Sequence, residues 1–66
     1  MNSQSKITQD VLAYLKDRGY GYASEIRKAL DLTDDEVGVA LAALHKDGLV
    51  RMKEDTVDHD WEYRPT

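Results

Sequence analysis

Residues 33–48, TDDEVGVALAALHKDG, constrain the fold most strongly because they specify the start, the buried face and the end of one helix. Thr33 and Glu36 stand at the spacing of a capping box, in which each side chain bonds to the backbone N–H of the other residue. The aspartates between them favour the positive end of the helix dipole. Gly48 is the kind of residue that commonly ends a helix. The spacing of apolar residues predicts a buried stripe of Val37, Ala40, Leu41 and Leu44.

Two shorter patterns predict a pair of helices before this one. Residues 5–18 place one apolar face at helical spacing, and Gly19 supplies the stop signal. Residues 20–23 carry alternating aromatic side chains and predict a brief extended segment. Residues 24–32 predict a second helix that ends near Asp31. The expected inward-facing residues are Ile7, Val11, Tyr14 and Leu15 in the first helix and Ala23, Ile26, Ala29 and Leu30 in the second.

The end of the chain predicts a β-hairpin. The runs LVRMK and WEYR alternate apolar and polar residues, and the polar EDTVDHD between them is typical of a long loop. Pro65 follows the second run at a strand end, where its missing N–H does no harm. The side chains expected to face the core are Val50, Met52, Trp61 and Tyr63.

Length and composition indicate one small domain. With 66 residues and 41% hydrophobic content the chain can build a single core, so we predict one domain over residues 1–66, with 1–4 and 65–66 disordered. The absence of cysteine excludes disulfides and thiolate metal sites and is typical of a reducing compartment. No apolar run is long enough to cross a bilayer or to act as a signal peptide. We therefore expect a cytoplasmic domain with no membrane partner.

The order of these elements is helix, short strand, helix, helix, strand, strand, an α+β fold that is mainly α. The stretch YASEIRKALDLTDDEVGVALAALHKDGLVR resembles the winged helix-turn-helix of MarR and ArsR-type transcriptional regulators. The resemblance covers residues 6–64 and predicts three helices with a small three-stranded antiparallel sheet, whose last hairpin is the wing. The matching positions are Ile26, Ala29 and Leu30 in the second helix, Leu32 in the turn, Val37, Leu41 and Leu44 in the third helix, and Gly48, Leu49 and Val50 at the wing entry.

The resemblance implies that the third helix enters the major groove of DNA while the wing touches phosphates or the minor groove. The residues predicted on its outward face offer few hydrogen-bond donors for base edges. Three acids begin the helix and four more lie around the wing loop, in a chain of net charge −4, which disfavours DNA at the third helix. The outward-facing positions are Asp35, Val39, Ala42 and Lys46, flanked by Gly38, Ala43 and His45.

The chain also resembles the winged-helix domains that bind left-handed Z-DNA, because Trp61 stands where those domains carry a tryptophan in the wing. That family uses lysine, asparagine, arginine and tyrosine side chains on the third helix. The matching positions here hold no such side chain, which argues against binding to Z-DNA. They are Asp34, Asp35, Gly38, Val39 and Ala42.

Two sets of residues are candidate contact sites. The basic set could hold phosphates, or it could be ordinary solvated charge paired with nearby acids. The small and apolar set on the third helix could meet a protein, or it could reflect the preference of alanine for helices. The DNA-contact candidates are Arg27, Lys28, Lys46, Arg51, Lys53 and Arg64. The protein-interface candidates are Asp35, Gly38, Val39, Ala42 and Ala43.

The sequence gives little support for a metal site, for catalysis or for stacking of aromatic side chains on bases. Asp58-His59-Asp60 has no defined metal-ligand spacing with His45, so a solvated turn is the preferred interpretation. The sequence offers no nucleophile with a paired base and no glycine-rich phosphate loop, so we expect no enzyme activity, metal or cofactor. The tyrosines and the tryptophan are expected to build the core, with stacking on bases by Tyr20 or Tyr22 as the alternative.

Two functional hypotheses remain open. The first is a DNA-binding winged-helix module of a transcriptional regulator. The second is a winged helix that binds a protein partner or a second copy of itself through an acidic and apolar third helix and an acidic wing, without direct contact to DNA. A domain this small, whose core is correspondingly limited, gains stability from such a partner.

Overall fold

The elements follow the order that the sequence predicts. A computed structural model describes residues 4–55 and 60–66 and, for Glu54, Asp55 and Asp60, only the backbone. Three helices and three strands make an α+β fold in which helix predominates, as expected. The elements are α1 (Gln4–Arg18), β1 (Gly21–Tyr22), α2 (Ala23–Leu30), α3 (Asp34–Lys46), β2 (Val50–Asp55) and β3 (Asp60–Pro65).

The three strands form one antiparallel sheet in the order β1-β3-β2. Tyr63 of β3 lies opposite Gly21 on one side and opposite Met52 on the other. The strand that comes last in the chain is therefore the central strand, and both other strands depend on it for their hydrogen bonds.

One hydrophobic core joins the helices to the sheet, and the four residues predicted on the buried stripe of α3 all lie in it. Every core residue of the helices sits at helical spacing, whereas β2 and β3 each contribute one side chain from the base of the hairpin. The buried residues are Ile7, Val11, Leu15, Ile26, Val37, Ala40, Leu41, Leu44, Val50 and Tyr63.

The capping box predicted at the start of α3 is present. The Glu36 N–H donates to Thr33 Oγ1 at 3.1 Å, and the Thr33 N–H donates to Glu36 Oε1 at 2.9 Å. At the other end, Gly48 has φ +74°, the left-handed conformation that favours glycine. Local sequence therefore fixes both ends of α3 before any tertiary contact is considered.

Removal of the cap should be measurable. Thr33→Ala takes away the acceptor for the Glu36 N–H, so we expect a loss of about 1 kcal/mol in the free energy of unfolding. Urea denaturation followed by circular dichroism measures it. Glu36→Gln keeps an acceptor for the Thr33 N–H and should cost less. A Thr33→Ala variant as stable as the parent would contradict the role of the box.

Ala29 is exposed, although its spacing predicted a position on the inward face of α2. Ala23 and Leu30 lie on one side of the fully buried Ile26 around the helix. Ala29 lies on the other side, about 60° away at 100° per residue. In a helix of eight residues the buried stripe is narrow, so Ala29 falls outside it.

Met52 and Trp61 were also expected in the core, and this expectation is wrong. Both lie on the same side of the hairpin as the buried Val50 and Tyr63, as strand alternation requires. Their side chains are nevertheless 37% and 44% exposed. Alternation determines which side of a sheet a residue faces, but it does not determine whether a helix covers that position. The inner face of the hairpin is therefore only partly covered at Met52 and Trp61.

Hydrogen bonds and strand pairing link the first and last residues that the structure describes to the rest of the fold. Gln4 begins α1, and its Nε2 donates to the carbonyl of Glu36 at 3.3 Å. Pro65 pairs with Val50 in the sheet. Thr66 donates from its N–H to the Leu49 carbonyl at 3.0 Å and from Oγ1 to the Gly48 carbonyl at 2.9 Å. These carbonyls follow the end of α3 and accept hydrogen bonds that sequence patterns do not reveal.

Candidate binding surfaces of α3 and the hairpin

The outward face of α3 is small and apolar, with acids at its start. The side chain of Val39 is 52% exposed, and Gly38 and Ala42 on the same face are also exposed. Ala43 is half-buried at the edge of this face. Asp35, in the first turn, is exposed. The protein-interface candidates therefore do lie together on one helix surface.

A groove of about 370 Å³ lies beside this face, between α2, the first half of α3 and β3. Sequence patterns did not predict it, because it depends on how three separate elements pack. Gly38 lies at the groove, and a Cβ added there would meet no atom within 4 Å. The groove is lined by Ala23, Ser24, Arg27, Asp34, Val37, Gly38, Leu41 and Tyr63.

An ion pair stands at the rim of the groove. Arg27 Nε lies 3.0 Å from Asp34 Oδ1, and the Asp34 side chain is 93% exposed. The charge of Arg27, a DNA-contact candidate, is therefore compensated by an acid of α3. Asp35 and Glu36 follow in the same turn of α3 but are not among the residues that line the groove, so the charged lining residues are this ion pair.

Three of the basic candidates lie on the hairpin face that points away from the core. Arg51 stands opposite Arg64 in the β2–β3 register, and Lys53 stands opposite Glu62. Arg64 Nε donates to Glu62 Oε1 at 2.7 Å, an exposed ion pair within β3. Like charges directly opposite each other destabilise a sheet. The pairing of Arg51 with Arg64 therefore has an electrostatic cost, which the ion pair between Arg64 and Glu62 reduces.

The remaining basic candidates lie elsewhere. Lys28 is exposed on α2, and Lys46 is exposed in the last turn of α3. α3 has 13 residues, so Lys46 lies about 18 Å along the helix axis from Asp34. The structure thus divides the six basic candidates among the groove rim, the ends of two helices and the outer hairpin face. It does not gather them into one patch.

A cluster around Arg18 joins the end of α1 to β1 and α2. The guanidinium lies 3.2 Å from Glu25 Oε1 and stacks over the rings of Tyr14 and Tyr20, 5.5 and 5.6 Å from their centres. A side-chain hydrogen bond with Tyr20 and the charge of Glu25 raise the pKa of Arg18 above its usual value. The Tyr20 ring also meets Tyr22 edge to face. These contacts give Tyr20, which is exposed, a structural role.

Metal and membrane features can be judged for part of the chain. Among residues 4–55 and 60–66, no group of three or more His, Cys, Asp or Glu side chains could hold a metal ion. Residues 58 and 59 of the possible metal motif lie outside the described residues, as do the side chains that would make the wing loop acidic. No helix in the same described residues has the length and apolar character needed to cross a membrane.

Comparison with known proteins identifies the fold. No family model matches the sequence, and no curated protein matches it. Among solved structures, a transcriptional regulator homologue from Pyrococcus horikoshii OT3 has a TM-score of 0.83 at 24% identity over 91% of this chain. A mutant of MarR from E. coli has a TM-score of 0.82 at 18% identity over 89% of this chain. These matches confirm the winged helix-turn-helix.

A third solved structure is similar over its whole length. It is the Zalpha domain of Carassius auratus PKZ in complex with Z-DNA, with a TM-score of 0.82 at 15% identity. The match covers 98% of this chain and all of that one. By contrast, the chain spans 61% of the Pyrococcus protein and 44% of the MarR chain.

Proposed function

We propose that this chain is a DNA-binding winged-helix module of the transcriptional regulator type, acting in the cytoplasm. The observation that carries the proposal is the full-length similarity to a winged helix described in complex with Z-DNA, at a TM-score of 0.82. The similarity to a transcriptional regulator homologue supports the regulatory part of the proposal. The fold supplies the frame, and the basic residues of this chain determine how a duplex is held.

Phosphate contacts by the outer hairpin face are the main source of affinity in this proposal. Arg51, Lys53 and Arg64 lie on that face, and the facing arginines can share a phosphate between their guanidinium groups. Lys46 adds a cation at the end of α3. Because Asp34 and Asp35 begin α3, its first turn is repelled by phosphates. We therefore expect weak, salt-sensitive binding with little preference for sequence.

The outward residues of α3 bear on whether the chain prefers left-handed or ordinary duplex DNA. The α3 positions that match the Z-DNA-binding family carry no cationic, amide or phenolic side chain. They are Asp34, Asp35, Gly38, Val39 and Ala42. Preference for the left-handed form has no chemical basis on this helix. We expect an ordinary mixed-sequence duplex to bind at least as well as a Z-forming duplex.

A salt-dependent titration tests the proposal. Binding of a mixed-sequence duplex should have a dissociation constant of about 10⁻⁴ to 10⁻⁶ M, and log K should fall linearly with log salt. Arg51→Ala combined with Arg64→Ala should reduce that slope by about 0.9 for each phosphate that the variant no longer neutralises. Fluorescence anisotropy with labelled duplex measures both quantities.

Lys16→Ala is the control for position, because it removes an exposed cation from α1 rather than from the hairpin. Its slope should match that of the parent chain. Absence of binding to any duplex at low ionic strength would contradict the proposed function. Equal slopes for the parent and the double arginine variant would contradict the hairpin as the contact surface.

A second candidate function is protein binding through α3, favoured by the 52% exposure of Val39 on a face whose lysine, Lys46, lies at its far end. Small and apolar residues allow close approach of another backbone. Val39→Asp should abolish self-association or binding of a partner while the helical circular dichroism stays unchanged. Ala29→Asp, on an exposed position of α2, is the control. Unchanged sedimentation and unchanged partners for Val39→Asp would rule out this candidate.

A further inference from the structure

We infer that the outward face of α3 binds the same face of a second copy of this chain, with the two helices antiparallel. The inference rests on the protein-binding candidate function of α3, whose partner it names, and is independent of contact between the hairpin and DNA. The face bears Asp35, Val39, Ala42 and Lys46, and these four residues are called the α3 seam below. Their spacing, their exposure and their charges each point to a second copy as the occupant.

The seam has the spacing of a helix that packs against another helix. Its positions follow one another at intervals of four, three and four residues, the repeat that keeps one stripe of a helix facing a partner helix. All four residues are exposed, and Val39 is 52% exposed. The buried stripe of α3 lies on the opposite side of the helix. The seam is therefore available to a second helix.

A two-fold axis at the middle of the seam brings unlike charges together. In a two-fold contact, each pair of residues occurs twice with the two copies exchanged. An axis between Val39 and Ala42 sets Val39 opposite Ala42 of the second copy, and it also sets Asp35 opposite Lys46 of the second copy. The dimer then has apolar contacts at its centre and an ion pair at each end. Parallel helices would instead set Asp35 against Asp35 and Lys46 against Lys46, so the charges select the antiparallel arrangement.

The two charges of the seam are available for this contact. None of the ion pairs among the described residues includes Asp35 or Lys46. The net charge of −4 on each copy opposes association over a longer range, and salt screens it beyond about 8 Å under physiological conditions. The local pairs therefore decide the orientation of the helices, while the net charge keeps the dimer weak.

Small residues allow the two helices to approach closely. Gly38 has no side chain, and Ala42 and Ala43 each carry one methyl group, so the helix axes can lie near the lower end of the usual separation of about 8 to 10 Å. From Asp35 to Lys46 the seam spans about 16 Å of the helix axis. One helix face of this length is smaller than a standard interface of about 800 Å² per partner. We therefore expect a weak dimer whose population depends on concentration.

Charge reversal tests the arrangement by sedimentation equilibrium of the full chain at physiological salt, without DNA. Asp35→Lys and Lys46→Asp each turn both unlike pairs into like pairs, so each variant should dimerise at least about tenfold more weakly than the parent. An equimolar mixture of the two variants should regain about the parental affinity, because every pair then joins a lysine to an aspartate. Lys46→Gln, which removes the charge without reversing it, should weaken the dimer by a smaller factor.

Asp10→Lys and Lys16→Asp are the matched controls, because they make the same charge changes at exposed positions of α1. Lys16 lies in the last turn of its helix, as Lys46 does. Both controls should dimerise with about the parental affinity. Helical circular dichroism should show that the seam variants and the controls are equally folded. The net charge alone would predict a stronger dimer for Asp35→Lys, which is the opposite of the result expected from the seam.

Three outcomes would overturn the inference. They are a parent chain that stays monomeric up to about 1 mM, charge reversals that dimerise as the parent does, and folded variants whose mixture does not regain the dimer. Self-association weakened by Val39→Asp but by neither charge reversal would keep the protein-binding candidate and sink the antiparallel arrangement alone. The duplex titration fails or succeeds separately, because the double variant of Arg51 and Arg64 should lower the salt slope for DNA yet dimerise like the parent.

Discussion

Leu15→Ala is expected to lower the free energy of unfolding by about 2 to 5 kcal/mol, the usual range for a buried leucine. Leu15 belongs to α1, and its side chain is fully buried in the hydrophobic core. A chain of 66 residues has a total stability of about 3 to 10 kcal/mol. The loss is therefore about half of the total stability of the domain, and a measurable rise in the unfolded population is expected at 37 °C.

Urea denaturation followed by tyrosine and tryptophan fluorescence and by circular dichroism measures this loss. Leu49→Ala makes the same chemical change at a side chain that is 42% exposed. It should cost well under half as much, because little apolar surface returns to water. Equal losses for Leu15→Ala and Leu49→Ala would contradict the burial of Leu15 in the core.

Gly21→Val is also expected to lower the free energy of unfolding, although valine has the higher propensity for strands. Valine is favoured in strands over glycine. A Cβ at Gly21 would nevertheless lie 2.9 Å from Leu15 Cδ2 and 3.3 Å from Ile26 Cγ1, two side chains that are fully buried. Overpacking of this kind costs about 1 to 3 kcal/mol, and occasionally more. Gly21 is absent from the positive-φ glycines, so the cause is steric rather than conformational.

A pair of glycine substitutions and a double-mutant cycle make the test specific. Gly38→Ala should stabilise the chain by up to about 1 kcal/mol through helix propensity, since a Cβ there meets open space. Gly21→Ala should destabilise it. In the Leu15→Ala variant, Gly21→Ala should cost less stability than it does in the parent, because Leu15 Cδ2, the atom nearest to the new Cβ, is gone. Thermal denaturation of the four cycle members measures the coupling, and strictly additive losses would contradict the contact.

Short-range signals predict the helices well, and α3 shows why. The capping pair Thr33 and Glu36, the four-residue stripe and Gly48 all act within a few residues of one another. Their contacts can be inferred without knowledge of the rest of the fold. Ala29 is the exception among the helices, since α2 is too short for spacing alone to locate the centre of its buried stripe.

Features that depend on contacts between residues far apart in the sequence were harder to predict. Alternation placed Met52 and Trp61 on the correct side of the hairpin, but only the packed structure shows that no helix covers them fully. The basic candidates looked like one set in sequence. In the structure Arg51 lies opposite Arg64 in the strand register, and the packing of α2 against α3 pairs Arg27 with Asp34. The groove at Gly38 requires three elements at once, so local patterns could not reveal it.

The central place of β3 in the sheet has a consequence for the order in which the elements can assemble. β1 and β2 have no strand neighbour in this sheet other than β3, which follows both of them in the sequence. The three helices can begin to associate earlier, because their contacts are closer in sequence. Until β3 docks, Gly21 and Tyr22 must keep their strand hydrogen-bonding groups in water. The docking of β3 therefore completes both strand pairs of the sheet in one step.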